Sequence, residues 1–316
     1  MYLPFDTNWI LERAFRRVRP KILIVMETEL WPNIFRLSYK RNVPVIILNG
    51  RISAKSSRGY KKISFFMKKV FSYVTVFSMQ SSLDAERLKA IGADGKKVQV
   101  SGNFKFDMEV SGERAALTAV KGPVIVAGST HRGEEELVLS AFLENLGKFP
   151  GLKLILAPRH PERFREVADL LRGKKIPFVM RSEMGDGDGA GGPFNGKVLL
   201  LDSVGELFSV YAIADIALIG KSFLGIGGQN PLEPAYWGKP ILCGPHMENF
   251  PFMQEFYDAG AAFEVEPAFL AEKIGELFAD PDLAKAAGNK ARKLYESKSG
   301  AVGKAMTIIG KYVHEG

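Results

Sequence analysis

The chain has 316 residues, 46% hydrophobic and 25% charged, which is the balance of a globular protein of about two domains. No apolar run reaches the roughly 18–20 residues that span a bilayer, and the N-terminus has no signal-peptide core. A single cysteine, Cys243, excludes an internal disulfide framework, and with only four histidines a Cys- or His-rich metal centre is not expected; a reducing compartment is. The net charge of +8 is uneven. Residues 1–120 hold 21 Lys+Arg against 10 Asp+Glu, and the remainder holds 22 against 25. The first half is therefore suited to an anionic partner, with nucleic acid, a membrane surface and a phosphorylated acceptor as the candidates.

Short β-rich runs alternate with helical patterns, the signature of βα units around parallel sheets. In the first half, strands are predicted at Ile22–Met26, Val45–Leu48, Val74–Phe77 and Val98–Val100, with helices starting near Pro32, Ser56 and Ser81. Four strands in this space leave Ile22–Met26 near an uncovered edge. Glu27-Thr28-Glu29-Leu30-Trp31-Pro32-Asn33 follows the first strand, and two carboxylates there are costly unless they cap a helix or bind something. Asn49–Ser56 (NGRISAKS) follows the second strand with amide, hydroxyl and cationic groups suited to a phosphorylated, carboxylated or sugar ligand. From Arg51 to Leu83 there are seven basic residues and no acidic one. Read as one helix from Ser56, this stretch puts Tyr60, Ile63, Met67, Val70 and Phe71 on an apolar stripe and Arg58, Lys61, Lys62, Lys68 and Lys69 on another. Phe65 falls among the lysines, either packed on a neighbour or turned towards an anionic membrane surface. No RNA-binding module accompanies the basic stretch, and nucleic acid is not expected as a partner. Gly102–Asp107 (GNFKFD) offers a lysine just before a linker at Met108–Gly122.

The second series of strands is expected at Val124–Ala127, Leu152–Leu156, Phe178–Met180, Val198–Leu201, Ile216–Ile219 and Ile241–Leu242, with a flexible loop at Gly185–Gly192 and helices from Pro267 to the end. Ligands in doubly wound sheets bind beyond the carboxyl ends of the strands. After the first of these strands comes Gly128-Ser129-Thr130-His131-Arg132-Gly133-Glu134, whose hydroxyls and bare N–H groups can hold a phosphate. Ala157-Pro158-Arg159-His160-Pro161 places Arg159 at the next strand end, where a guanidinium suits phosphate or base recognition. The strongest signal is Gly227–Pro240 (GGQNPLEPAYWGKP). A glycine pair leads into a helix starting near Pro231, whose N-terminus forms an anion site, and Glu233 in its first turn can accept two ribose hydroxyls. No G-x-G-x-x-G follows a first strand with an acidic residue about twenty positions later, and no P-loop is present. One nucleotide explains three such loops better than coincidence.

These residues resemble the 3-deoxy-D-manno-octulosonic acid (Kdo) transferases. The resemblance is carried in order by ETELWPN (27–33), NGRISAKS (49–56), GNFKFD (102–107), GSTHRGEE (128–135), APRHP (157–161), GGQNPLEP (227–234) and GPHMENF (244–250). It implies an α/β glycosyltransferase-B fold, two Rossmann-like domains facing a cleft. The boundaries expected are a partial acceptor-binding domain at 1–110, a linker at 111–122, and a nucleotide-sugar domain with C-terminal helices at 123–316. It further implies CMP-Kdo as donor, a lipid A precursor as acceptor, no cofactor or metal, and an inverting transfer at the cytoplasmic face of the bacterial inner membrane. Carried over by position, Ser129, Thr130, Arg159, Asn230 and Glu233 bind CMP, while Glu29, Arg51 and Lys105 line the sugar or acceptor side. The family's membrane anchor and the S-V-G-E-type loop with its general-base glutamate have no counterpart here. The expectation is accordingly an N-terminally truncated chain, peripheral on the membrane through residues 51–73, that binds CMP but hardly turns over. Glu27 and Glu29 are the substitute bases to consider. Alternatives are a UDP-sugar epimerase or another nucleotide-sugar enzyme of the same fold, and a non-catalytic nucleotide- or lipid-binding remnant.

Overall fold

A computed structural model of the chain describes residues 5–107, 122–184 and 198–313. It separates two compact units, Met1–Glu109 with Lys298–Gly316, and Val110–Ser297. The first unit runs α1 (Asn8–Val18), β1 (Leu23–Met26), α2 (Pro32–Lys40), β2 (Val45–Gly50), α3 (Ala54–Lys62), α4 (Ser64–Ser72), β3 (Val76–Met79), α5 (Ser82–Ile91) and β4 (Val98–Val100). The second contains β5 (Val124–Thr130), α6 (Glu134–Leu146), β6 (Lys153–Pro158), α7 (Phe164–Gly173), β7 (Phe178–Met180) and β8 (Val198–Leu200). It continues through α8 (Leu207–Val210), β9 (Ile216–Ile219), α9 (Leu232–Tyr236), β10 (Ile241–Cys243), α10 (Met253–Asp258), β11 (Ala262–Glu264), α11 (Leu270–Ala279) and α12 (Pro281–Lys298). The last helix, α13 (Ala301–Val313), returns to the first unit.

Both sheets are parallel, ordered β1-β2-β3-β4 and β11-β10-β9-β5-β6-β8-β7. A parallel strand covered on both faces should read as an unbroken apolar run, and β2 and β5 do. Along β2, Val45 and Ile47 face a core with Leu11, Phe35, Val70 and Phe71, while Ile46 and Leu48 face Ala305 and Ile308 of α13. The same alternation sends Ile125 and Ala127 of β5 to one core and Val124 and Val126 to the other.

The placement of α13 corrects the expected boundary, which assigned everything from 123 to 316 to the second domain. Without this helix the Ile46–Leu48 face of the first sheet would lie open, so its apolar side closes the first unit's core. Asp107 fixes its start. The carboxylate accepts from the N–H groups of Gly300 and Val302, and the Ser299 hydroxyl donates to the Phe106 carbonyl. The Asp107 end of GNFKFD is thus a helix cap.

Other sequence expectations shift less. The helix expected from Ser56 is two helices broken at Ile63, which takes φ −117°, ψ 30°. The break removes Ile63 from the buried stripe and leaves it 50% exposed, while Met67, Val70 and Phe71 stay buried. The short edge strand β11 was not anticipated, since three residues pairing only with β10 carry almost no periodicity. Residues 108–121 of the expected linker and the Gly185–Gly192 loop lie outside the described residues. Among the described residues no helix is long and apolar enough to cross a membrane. No group of three or more His, Cys, Asp or Glu there is placed to hold a metal.

Candidate functional sites at the strand ends of each unit

Among the described residues seven non-glycine residues take positive φ. Arg19, Asn42 and Lys175 terminate helices, where left-handed geometry is ordinary. Glu27 (57°), Asn49 (53°), Ser129 (55°) and Lys221 (58°) instead stand at or just beyond the carboxyl ends of β1, β2, β5 and β9. Backbone strain of this kind persists where the surroundings hold it, and it gathers at binding sites. In both sheets these residues gather at the carboxyl ends of the strands, the end at which doubly wound sheets bind ligands.

In the first unit the ends of β1 and β2 are tied together. The Thr28 hydroxyl donates to the Arg51 carbonyl and accepts from the Arg51 N–H at 3.0 Å. The loop after β2 is anchored from below by buried Asp84, which accepts from Ile52 N at 2.8 Å, and by Arg87, which donates to the Ile52 carbonyl. Asn49 reaches across to the β4 end, where its Oδ1 accepts from Phe104 N at 3.2 Å. Glu27, Glu29, Arg51 and Lys105 are all exposed at this rim. The Glu29 carboxylate accepts from Trp31 Nε1 at 3.1 Å. No ion pair joins Glu27 or Glu29 to Arg51 among the described residues.

In the second unit one buried carboxylate organises two loops. Glu134, 1% exposed at the start of α6, accepts from His131 N (2.9 Å), Lys221 N (2.6 Å) and Phe223 N (3.0 Å). It thereby holds the loop after β5 against the loop after β9. Their approach requires a glycine at 220, because a Cβ there would run into the Ser129 carbonyl. Glu135, fully buried, forms a bidentate pair with Arg163 (2.7 and 3.1 Å) and accepts from the Thr130 hydroxyl at 2.8 Å. The Thr130 side chain, 2% exposed, is therefore turned inward, and its carbonyl receives Arg159 N at 3.0 Å. Thr130 positions neighbouring loops; Ser129 beside it is partly exposed.

The helix after the glycine pair is shorter than expected. It spans Leu232–Tyr236, with Pro231 as its N-cap rather than its first residue. Trp237 ends it, Gly238 takes φ 65°, and Pro240 opens the approach to β10. Five residues sum to a weak dipole, so the polar groups of this loop weigh more than the helix N-terminus. Asn230 Oδ1 accepts from Leu232 N at 3.2 Å, and its amide reaches Glu233 at 3.4 Å. Burial raises the Glu233 pKa, against the opposing pull of the Asn230 hydrogen bond and the Arg159 charge. Asn230, Glu233 and Arg159 are thus brought together. Gly227 N donates to Glu248 at 2.8 Å, joining GGQN to the GPHMENF loop.

Sequence reasoning gave no role to Glu134, Glu135 or His131. His131 Nε2 lies 3.1 Å from the Gln229 amide nitrogen, and its ring meets His160 edge-on at 5.2 Å. Burial lowers its pKa; Glu134 opposes this, and His160, Lys221 and Arg163 add to it. The signal available was the acidic run Glu134–Glu136 opening a helix, which reads as dipole complementation until the fold shows what the first two carboxylates hold.

Residues 1–108 match the family described as 3-deoxy-D-manno-octulosonic-acid transferase (kdotransferase). A 3-deoxy-D-manno-octulosonic acid transferase of Haemophilus influenzae is 34% identical over 324 residues, covering 99% of this chain and 74% of the relative. This chain belongs to the Kdo transferase family. The corresponding protein of Aquifex aeolicus is also 34% identical, over 87% of this chain and 70% of its own length. A solved glycosyltransferase structure from Rickettsia africae shares 14% identity and a TM-score of 0.59 over 99% of this chain and 84% of that one, a likeness of fold. The fold of this family member is the expected glycosyltransferase-B type, with two Rossmann-like α/β units.

The raised pKa of Glu233 gives a stability test. A carboxyl whose pKa is higher in the folded state costs stability once ionised, so stability falls as pH rises from the ordinary value of 4.5 through the raised one. Glu233→Gln removes the charge and keeps the shape. In thermal melts of the ligand-free protein it should match the wild type well below pH 4.5 and exceed it at pH 8 by roughly 1–2 °C. A lower Tm at pH 8 would contradict the burial argument.

Proposed function

We propose that the chain transfers Kdo from CMP-Kdo to a lipid A precursor in lipopolysaccharide biosynthesis, an inverting glycosyl transfer at the cytoplasmic face of the bacterial inner membrane. The observation that carries this reading is the convergence of Ser129, Arg159, Asn230 and Glu233 at adjoining loops of one sheet, in a chain of this family. In this reading Glu233 accepts the ribose hydroxyls and Asn230 orients it. Arg159 and the loop at Ser129 hold the phosphate, and Thr130 acts through the backbone it fixes. The acceptor hydroxyl forms its bond to the anomeric carbon as the bond from that carbon to the phosphate oxygen breaks. The electron pair leaves on CMP, where the Arg159 charge stabilises it.

The hydroxyl proton must pass to a base. On the acceptor side Glu29, Arg51 and Lys105 ring the first unit's strand ends, and Glu27 and Glu29 are the carboxylates at that rim to test as the base. An anionic lipid acceptor suits Arg51 and Lys105. The α3–α4 pair supplies a surface for the membrane itself. Its corner exposes Ile63 (50%), Phe65 (93%) and Phe66 (51%), flanked by Lys61, Lys62, Lys68 and Lys69. Apolar side chains among cations are what an anionic interface binds.

Titration calorimetry tests the donor assignment. CMP should bind in preference to UMP, and Glu233→Ala should weaken CMP at least about tenfold, the loss of a charge-assisted bidentate contact. A preference for UMP would overturn the assignment in favour of a uridine-nucleotide enzyme. For the membrane surface, Phe65→Asp should cut sedimentation with phosphatidylglycerol vesicles several-fold at unchanged Tm. Unaltered binding would remove the corner from the account.

A further inference from the structure

The amino ends of the second sheet carry a cavity that the nucleotide reading does not use. It has a volume of about 540 Å³, within the range that holds small ligands, and it lies at the starts of β5, β9 and β10. Ser129 and Arg159 stand at the opposite ends of β5 and β6. The cavity's apolar wall comes from Phe149, from Leu277 and Phe278 of α11 and from Ala284 of α12, and the Phe149 and Phe278 rings meet at 5.3 Å. Gly288 makes this wall possible. A Cβ there would run into the Gly238 carbonyl, so α12 lies directly against the turn that carries Lys239.

Two opposite charges line the same cavity without neutralising each other. Asp215 uses one carboxylate oxygen to hold Val124 N at 2.8 Å, and its other oxygen has no hydrogen-bond partner among the described residues. Half-buried Lys239 is fixed through its backbone, where its N–H donates to the Pro234 carbonyl at 3.0 Å just after Gly238 turns the chain at φ 65°. No ion pair within 4.0 Å joins Lys239 to Asp215 or to another carboxylate among the described residues. The two charges nonetheless feel each other, since burial lowers the Lys239 pKa and the Asp215 charge opposes the fall. An ammonium half removed from water and left unpaired is costly. A third charge, Lys285, stands exposed at the mouth.

Charges too far apart to bond, yet near enough to interact, leave room between them for a group that carries both signs. The apolar wall beside them suits an uncharged body. We propose that this cavity is a second ligand site, which takes a small zwitterion with an apolar side chain, an aromatic α-amino acid being the type. Its carboxylate sits on Lys239, its ammonium on the free oxygen of Asp215, and its ring against Phe149 and Phe278. A phosphate would meet Lys239 but bring its own charge up to Asp215, and a purely apolar molecule would leave both charges unmatched. The site does not depend on what the loops at the other end of the sheet bind.

The test is a ligand-observed NMR titration of the full chain with three probes: L-phenylalanine, 3-phenylpropionate, which lacks the ammonium, and phenethylamine, which lacks the carboxylate. L-phenylalanine should bind saturably and each analogue about tenfold or more weakly, the size of one lost charge-assisted contact. Lys239→Met keeps the alkyl stem and removes a half-buried charge, so the Tm should not fall. It should weaken L-phenylalanine and 3-phenylpropionate by about tenfold without weakening phenethylamine. Asp215→Asn keeps an acceptor for Val124 N and should do the reverse, weakening L-phenylalanine and phenethylamine while sparing 3-phenylpropionate. Equal affinity for the three probes, no saturable binding of L-phenylalanine, or L-phenylalanine binding unmoved by both substitutions would each overturn the proposal.

Discussion

The arrangement of the second unit depends on burying the Glu134 carboxylate at the junction of two strand-end loops. A carboxyl group 1% exposed is tolerable only if its oxygens are met by donors, and three backbone N–H groups from His131, Lys221 and Phe223 do this. Those bonds set the path of the chain after both β5 and β9. The strained φ of Lys221 and the close passage of Gly220 by the Ser129 carbonyl are consequences of that path. Glu135 performs the matching task one residue on, drawing Arg163 and the Thr130 hydroxyl inward. What is left at the rim is a partly exposed Ser129 and an exposed Arg159, above acids that are already satisfied.

The first unit solves a related problem with different parts. Its loops are tied by Thr28 to the Arg51 backbone, by Asn49 to Phe104 and by Asp84 to Ile52, leaving Glu27, Glu29, Arg51 and Lys105 at the exposed rim. Its sheet is completed by the end of the chain, since α13 covers Ile46 and Leu48. Asp107 and the Ser299 turn lock that helix in place, so the segment carrying Lys105 is also the one that receives α13.

The strands were legible because parallel strands buried on both faces leave long apolar runs. Each of the ten predicted strands is present, and β2 and β5 extend into the loops that follow them. What sequence could not supply was long-range. Nothing local tells which sheet α13 covers, since its apolar side would suit either. The break at Ile63 has no glycine or proline to announce it, and α9 reads as an ordinary helix start although it stops after five residues. At the candidate site, the grouping of Glu233, Asn230 and Arg159 was legible from motif chemistry. Thr130 was legible as a motif position but not as a buried hydroxyl. Glu134 and Glu135 were hidden because a carboxylate in a helix's first turn has an innocuous local explanation.

The most direct test of the account is a crystal structure of the chain with CMP. The account places the ribose hydroxyls within hydrogen-bond distance of the Glu233 carboxylate and the phosphate between the Ser129 loop and Arg159. A nucleotide bound elsewhere, or one whose ribose avoids Glu233, would contradict it.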